Sequence, residues 1–168
     1  MKATIVQCGL KWEERDANLA HISCLLDAAS PGEGIVVLPE MFTTGFTMNP
    51  APLAEGMDGP TIRWMKERSA NGGYALCGSV IIREEENYYN RLIFVTRDGE
   101  VTFYDKRHLH TMSGEHTVYS PGNKRVVVPY CEFNFNFQIC YDLRFPVWSR
   151  NRGDTDVIVY VANWPLVR

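Results

Sequence analysis

The sequence predicts a layered α/β sandwich, in which β-sheets pack against each other and against helices. The predicted elements follow the order β-α-β-α-β-β-β-β-β-α-β. Helices between strands are typical of parallel pairing, whereas consecutive strands joined by short turns are typical of antiparallel hairpins. Because this chain has both kinds of connection, a layered sandwich is favoured over a single all-parallel sheet. At 168 residues the chain fits one domain, and we predict a single domain over residues 1 to 168.

Eight stretches have the apolar patterns of β-strands. Wholly apolar runs indicate strands that are buried on both faces, and alternation of apolar and polar residues indicates a strand with one buried face. In chain order the strands cover residues 3 to 10, 35 to 38, 74 to 82, 88 to 96, 100 to 104, 125 to 128, 133 to 139 and 157 to 162. The β-branched first run is predicted to be buried. Arg97-Asp98-Gly99 is predicted to close a hairpin, because Asp-Gly favours a tight turn.

Three helices are predicted between these strands. Asp16 and Asn18 are candidate caps of the first helix, Gly59-Pro60 opens the second, and Pro146 suits the first turn of the third. The helices are predicted to cover residues 17 to 29, 61 to 71 and 147 to 152. The two long segments 41 to 60 and 105 to 123 lack periodicity, and such loops are more often functional than accidental.

Composition excludes several classes of protein. The formal net charge is −3, and no basic cluster is longer than the one at Lys106-Arg107-His108, so we expect no nucleic-acid partner. The N-terminal segment lacks a cleavage pattern, and no stretch approaches the roughly 20 apolar residues of a membrane span. Five cysteines without a CxxC pair indicate neither a disulfide framework nor a structural zinc site. We therefore expect a reduced, cytoplasmic protein with no membrane partner.

Cys140 lies where a predicted strand gives way to a turn. The strand alternates apolar residues with Asn and Gln up to Ile139, and Asp142 and Pro146 then interrupt the pattern. Such a junction exposes a side chain at the end of a sheet and leaves backbone N–H groups unpaired, which is the geometry of an activated nucleophile. Inert packing is the alternative, because Cys is among the most buried residue types.

Two further polar residues stand at the ends of predicted strands, Glu40 after IVVLP and Lys106 after VTFYD. If the fold brings them to Cys140, the three form a set for acyl transfer. Glu40 would take the thiol proton and later protonate the leaving amine. Lys106 would stabilise the tetrahedral oxyanion beside the backbone N–H of Tyr141. A solvated glutamate and a surface lysine in an ion pair are the alternatives.

Three segments resemble, in the same order, the signature segments of the nitrilase (carbon-nitrogen hydrolase) superfamily. They are LPEMFTTGF around Glu40, YDKRHL around Lys106 and ICYDLRFP around Cys140. EMFTTGF, the SGEH around Glu115 and CYDLRFPVWSRN are most similar to the omega-amidase branch. That branch hydrolyses the side-chain amide of 2-oxoglutaramate and 2-oxosuccinamate.

The resemblance implies a four-layer α-β-β-α sandwich with a catalytic triad of Glu40, Lys106 and Cys140. It also implies a small-molecule amide substrate, a thioester intermediate, release of ammonia, no cofactor and a homo-oligomer. Glu115 would be a second carboxylate near the thiol, although the residues alone favour a loop-exposed Glu115.

Four residues are candidates for contact with the substrate. Phe42, Phe46 and Tyr141 could form walls of a pocket, and packing in the core is the alternative for these aromatic side chains. Arg144 could pair with a substrate carboxylate, or it could form a structural ion pair with Asp142 or another neighbour.

Other functions remain open at this stage. A nitrilase, an N-carbamoyl amidase or an aliphatic amidase would share the same triad. A metal site could use His108, His110 and His116 with Glu115, but no HExxH or paired-cysteine spacing supports it, and we expect no metal.

The resemblance also predicts a chain that is truncated at its C-terminus. Asn163-Trp164-Pro165 resembles the segment after the strand that follows the nucleophile, and superfamily members continue well beyond it. Residues 1 to 168 would then be the N-terminal portion of the family domain. A truncated chain could also persist as an inactive binding or assembly module.

Overall fold

The structure is a computed structural model, and it describes residues 1 to 164. Its strands are β1 (Ala3–Ile5), β2 (Ile35–Val37), β3 (Ala75–Glu84), β4 (Asn87–Val95), β5 (Val101–Asp105), β6 (Val127–Tyr130), β7 (Phe133–Ile139) and β8 (Val157–Val161). Its α-helices are α1 (Arg15–Ala29), α2 (Pro60–Gly72), α3 (Glu115–Val118) and α4 (Pro146–Ser149). Short 3₁₀ turns occur at Thr111–Ser113 and Cys140–Arg144. Pro165, the last residue of the predicted Asn163-Trp164-Pro165 segment, lies outside the described residues.

The strands form two sheets. The first has the order β1-β2-β3-β4-β5, in which β1, β2 and β3 are parallel and β4 and β5 are added as antiparallel hairpins. The second has the order β6-β7-β8, with β6 antiparallel and β8 parallel to β7. The predicted mixture of helical crossovers and hairpins is confirmed, including the turn at Gly99, whose φ of 86° suits glycine.

Two apolar cores hold the layers together. Ile22 and Leu26 of α1 and Met65 of α2 pack on one face of the first sheet. On its other face, Phe94 meets Phe137 of the second sheet with ring centroids 5.0 Å apart. Full burial of one such side chain stabilises the fold by about 2–3 kcal/mol. The layers are therefore helix, sheet and sheet, and among residues 1 to 164 no α-helix beyond α1 and α2 exceeds four residues.

The first strand is shorter and more exposed than predicted. β1 has only three residues and pairs with β2 alone, so it is an edge of the first sheet. Ile5 is 76% exposed. The prediction of a buried strand over residues 3 to 10 is wrong, because an edge strand has a neighbour on one side only.

The start of α1 also differs from the prediction. Asn18 is fully buried inside the helix and is not its cap. Its amide donates to the carbonyl oxygens of Lys11 and Thr43 at 2.7 and 2.8 Å. Asn18 therefore ties the helix to the loop that follows Glu40.

Pro60 and Pro146 do stand in the first turns of α2 and α4, as predicted. Within the described residues, no helix has the length and apolar character that a membrane crossing requires.

A buried ion pair fixes the pairing of β4 with β5. Arg91 lies opposite Asp105 in the register and donates to its two carboxylate oxygens at 2.6 and 2.9 Å. A third bond, of 2.7 Å, runs from Arg91 to Glu84. Because Arg91 follows Asn90 and Asp105 precedes Lys106, this register also decides on which face the Asn90 and Lys106 side chains lie.

We expect Asp105→Ala to lower the free energy of unfolding by about 3 kcal/mol, because a buried charge loses a partner. The Arg91 side chain is only 3% exposed. Urea denaturation measures the loss. Glu33→Gln is the matched control, because Glu33 is 89% exposed and lies 3.9 Å from Arg97, and such surface pairs contribute less than about 1 kcal/mol. Equal losses in the two variants would contradict a role for the buried pair.

Candidate active site

Four of the predicted site residues meet at one end of the sandwich. Glu40 follows β2, Lys106 follows β5, Cys140 follows β7, and Glu115 opens α3. Glu40, Lys106 and Glu115 are buried, and Cys140 is half-buried. β2 and β5 run in the same direction within one sheet, so the residues after them reach the same edge. The alternatives of a solvated Glu40, a surface Lys106 and a loop-exposed Glu115 do not hold in the structure.

The ammonium group of Lys106 is shared by two carboxylates. Its Nζ donates to Oε1 of Glu40 at 2.8 Å and to the two carboxylate oxygens of Glu115 at 3.0 and 2.9 Å. Burial acts to lower the pKa of Lys106, but the charges of Glu40 and Glu115 outweigh it and raise the pKa above its usual value. Lys106 is therefore a cation at neutral pH.

Asn90 is a further member of the site that the sequence analysis did not identify. Its Nδ2 donates to Oε1 of Glu40 at 2.9 Å and to Oε1 of Glu115 at 3.1 Å. The backbone N–H of Lys106 donates to the Asn90 carbonyl at 3.0 Å. The available signal was an asparagine inside the predicted strand of residues 88 to 96, because Asn is depleted in strands.

The two glutamates have different surroundings. Glu115 accepts hydrogen bonds from Lys106, from Asn90 and from the backbone N–H of His110 at 2.6 Å. Oε2 of Glu40 accepts one longer bond, of 3.3 Å, from the backbone N–H of Asn163. Glu40 lines the same cavity as the Cys140 thiol, and its charge raises the pKa of that thiol. Sγ of Cys140 itself accepts a hydrogen bond from Nε1 of Trp164 at 2.7 Å. Glu40 therefore has the accessible acceptor, and Glu115 serves to hold Lys106.

Cys140 stands in a strained turn. Its φ of 42° is left-handed, a conformation that residues with a β-carbon rarely adopt, and it begins the 3₁₀ turn Cys140–Arg144. The pKa of the Cys140 thiol is raised to about 12, chiefly by burial and next by the Glu40 charge, while the Lys106 charge and a hydrogen bond from Trp164 oppose the rise. The thiol is therefore neutral at pH 7, and a base is needed to generate thiolate.

A cavity of about 310 Å³ opens beside the thiol. Its lining residues come from four segments and are Glu40, Phe46, His110, Cys140, Tyr141, Arg144, Asn163 and Trp164. Phe46 and Tyr141 thus lie where the sequence predicted walls. Phe42 does not, because its ring is buried in the core beneath α2, 6.0 Å from the ring of Trp64. The prediction that Phe42 contacts the substrate is wrong, since the chain turns at Met41, which has a φ of 46°.

Arg144 is exposed at the rim of the cavity, with its guanidinium carbon 5.8 Å from the centre of the Trp164 ring. The alternative ion pair with Asp142 is wrong, because the Asp142 carboxylate is buried and bonded to other groups. His108 Nδ1 lies 2.8 Å from one of its oxygens, and the Tyr104 hydroxyl donates to the other at 2.8 Å. Arg144 is therefore directed to the cavity mouth and not to the protein interior.

The three loop histidines do not form a metal site. His108 contacts Asp142, His110 contacts the Ser113 hydroxyl at 3.0 Å, and His116 is exposed. In the part of the chain that the structure describes, no group of three His, Cys, Asp or Glu side chains is arranged to hold a metal ion. The His-rich metal hypothesis is wrong for these residues.

Comparison with curated proteins finds several relatives over the full length of the chain. Residues 2–167 match the family described as Carbon-nitrogen hydrolase. The omega-amidase YafV of Yersinia enterocolitica is 44% identical and that of Escherichia coli K12 is 42% identical, each over 168 residues. The 2-oxoglutaramate amidase of Bacillus subtilis is 28% identical over 175 residues. These alignments cover all of this chain but only 65%, 65% and 68% of the three relatives.

Solved structures have the same fold. XC1258 from Xanthomonas campestris, a CN-hydrolase superfamily protein with an arsenic adduct in its active site, has a TM-score of 0.94 and is 40% identical, with 99% of this chain and 66% of that chain covered. Nit3 of Saccharomyces cerevisiae, a nitrilase superfamily member, has a TM-score of 0.82 at 22% identity, with 98% and 65% covered, which is a likeness of fold alone. The chain thus spans 65% of the length of the YafV relatives. With a family match over nearly every residue and relatives above 40% identity, it belongs to the carbon-nitrogen hydrolase family.

Proposed function

We propose that this chain carries the catalytic site of an omega-amidase, which hydrolyses the terminal amide of a small 2-oxo acid such as 2-oxoglutaramate or 2-oxosuccinamate. The observation that carries the proposal is the position of Glu40, which lines one open cavity together with the Cys140 thiol and accepts a hydrogen bond from the Lys106 ammonium at 2.8 Å. The relatives add the substrate class, because two are omega-amidases and a third is a 2-oxoglutaramate amidase.

The first half of the reaction forms a thioester. Glu40 takes the proton of the Cys140 thiol as Sγ bonds to the amide carbon, and the carbonyl oxygen becomes an oxyanion. Lys106 and the backbone N–H of Tyr141 stabilise that charge, and loss of one such donor typically lowers the rate by about 10²–10³-fold. Glu40 then gives its proton to the amide nitrogen, the C–N bond breaks, and ammonia leaves.

The second half returns the enzyme to its starting state. Glu40, again ionised, takes a proton from a water molecule whose oxygen bonds to the thioester carbon. The C–S bond breaks, Sγ recovers a proton from Glu40, and the carboxylic acid leaves and loses its remaining proton to solvent. Throughout, Glu115 and Asn90 hold Lys106 and Glu40 in place through the bonds described above.

Substrate selection follows from the two ends of the cavity. The amide would lie at Cys140, and the 2-oxo carboxylate would lie at the rim beside the Arg144 guanidinium. A guanidinium favours a carboxylate and disfavours a nearby ammonium. Glutamine differs from 2-oxoglutaramate by an ammonium group in place of the 2-oxo group, so it is expected to bind less well.

Steady-state ammonia release from 2-oxoglutaramate, with glutamine and a nitrile as parallel substrates, tests the proposal. We expect the 2-oxo amide to have the highest kcat/KM of the three. A preference for the nitrile would favour a nitrilase. No release from any of them by folded protein would contradict the proposal and favour an inactive binding or assembly module.

We expect Arg144→Met to raise KM for 2-oxoglutaramate by about 10-fold or more, because a charge-assisted hydrogen bond contributes about 1.5–3 kcal/mol. KM for a neutral amide such as propionamide should change little. Initial rates of ammonia release give both values. Arg150→Met is the matched control, because Arg150 is an exposed arginine that does not line the cavity. Equal effects on the acidic and the neutral substrate would contradict the carboxylate contact.

A further inference from the structure

Asp142 is a fully buried carboxylate that the mechanism above does not use. One oxygen lies 2.9 Å from the backbone N and 2.8 Å from Nδ1 of His108. The other accepts from the Tyr104 hydroxyl at 2.8 Å and from the Ile139 N–H at 3.1 Å. Every partner is therefore a donor, and His108 must carry its proton on Nδ1, because a carboxylate only accepts.

These four bonds join the two segments that carry the reacting groups. Ile139 directly precedes Cys140, whereas Tyr104 and His108 lie two residues on either side of Lys106. The Tyr104 hydroxyl is held in turn by the N–H groups of Arg107 and Trp148, at 3.2 and 3.1 Å. Its single proton is therefore directed to an acceptor, and the Asp142 oxygen at 2.8 Å is nearer than Oε1 of Gln138 at 3.3 Å. The carboxylate therefore links the end of β7, which directly precedes Cys140, to the end of β5, which directly precedes Lys106.

The bond from Ile139 to Asp142 closes the turn in which Cys140 stands. Asp142 is two residues after Cys140, and its side chain accepts the N–H of the residue before Cys140. A left-handed conformation such as the φ of 42° at Cys140 is strained for a residue with a β-carbon and persists only where its surroundings enforce it. The Asp142 carboxylate supplies this constraint.

We propose that Asp142 is a positioning residue that holds the Cys140 thiol against Glu40 and fixes the nucleophile turn to the Lys106 segment. Its contribution to amide hydrolysis rests on the proposed function, whereas its effect on the thiol does not. Asp142→Asn preserves size but replaces an acceptor by an NH₂ group. At least one of the four donors would then face another donor, so the turn is expected to open.

The pH dependence of Cys140 alkylation by iodoacetamide, followed at that residue by peptide mass spectrometry, reports where the thiol lies. In the unaltered chain the thiol is beside Glu40 and its pKa is about 12, so the rate should rise about 100-fold from pH 8 to pH 10. A thiol that the opened turn exposes to solvent and moves away from Glu40 has a pKa of about 8.5–9, so the rise in Asp142→Asn should be only about 4- to 10-fold. A rise of about 100-fold in folded Asp142→Asn would overturn the proposal.

Glu55→Gln separates positioning from general loss of stability. Glu55 is another buried carboxylate, which accepts the backbone N–H of Thr61 at 2.8 Å at the start of α2. Glu55→Gln should keep the 100-fold rise in the rate of Cys140 alkylation from pH 8 to pH 10, even if it lowers the melting temperature. If Asp142→Asn fails to fold, His108→Ala carries the test, since it removes one of the four bonds from a half-exposed position. It should reduce the rise by about threefold, and an unchanged rise would overturn the proposal.

Ammonia release is the second measurement. Misplacement of the thiol should lower kcat of Asp142→Asn by about 10²-fold and change KM by less than about threefold, because the cavity walls remain. An unchanged kcat alongside active unaltered protein would overturn the positioning role. If no protein releases ammonia, the proposed function fails, and the alkylation profile still decides the role of Asp142.

Discussion

Cys140→Ala is expected to lower kcat for 2-oxoglutaramate by about 10⁴-fold or more, because among the described residues that line the cavity Cys140 alone supplies a thiol to form the thioester. Glu40, Lys106 and Glu115 keep their mutual hydrogen bonds in this variant, since only the thiol is removed. Substrate binding should therefore persist without turnover. Ammonia release under saturating substrate gives kcat, and equilibrium binding of 2-oxoglutaramate gives the affinity.

Cys24→Ala is the matched control for that variant. Cys24 is an exposed thiol on α1, on the far side of the first sheet from the cavity, and the variant should retain the full rate. Cys77 is an unsuitable control, because burial raises its pKa and its removal would leave a void in the core. Release that persists in Cys140→Ala at the unaltered rate would show that the acyl group is carried elsewhere.

The positions of Glu40, Lys106 and Cys140 could be predicted because each rests on a local pattern. Each follows a strand that the apolar run itself identifies, and strand ends are where a layered fold exposes side chains. Asn90 and Asp142 could not be predicted in this way. Asn90 bonds to Glu40 across 50 positions of sequence, and Asp142 bonds to His108 across 34. Their importance depends on partners that only the folded chain brings near them.

The errors in burial have the same physical origin. The β-branched run at residues 3 to 10 resembles an interior strand, but its exposure depends on its place at the edge of the sheet order. Phe42 and Phe46 are equally apolar and lie in one loop. Because the chain turns at Met41, which has a positive φ, Phe42 packs in the core that faces the helices, whereas Phe46 lines the cavity. Hydrophobicity predicts that such side chains are covered, and the chain path decides what covers them.

Glu40→Gln is expected to make the Cys140 thiol more acidic and the enzyme slower at the same time. Burial and the charge of Glu40, in that order of size, raise the pKa of the thiol to about 12. An amide removes the charge, while the Lys106 cation, which lowers the pKa, remains. The pKa should therefore fall, and the thiolate fraction at pH 8 should rise. Amide hydrolysis still needs a group that delivers a proton to the leaving nitrogen, so kcat should fall by about 10²–10⁴-fold.

These opposite changes distinguish a base from a structural carboxylate. Alkylation of Cys140 by iodoacetamide at pH 8 should be faster in Glu40→Gln than in the unaltered chain, while ammonia release is slower. Glu115→Gln provides the comparison, because Glu115 bonds to Lys106, Asn90 and His110 and, unlike Glu40, does not line the cavity beside the thiol. Glu115→Gln should lower kcat, because Lys106 loses a carboxylate partner. It should change the rate of Cys140 alkylation less than Glu40→Gln does. If Glu40→Gln slowed both reactions equally, Glu40 would act by holding the site together, and the proton transfers would require another group.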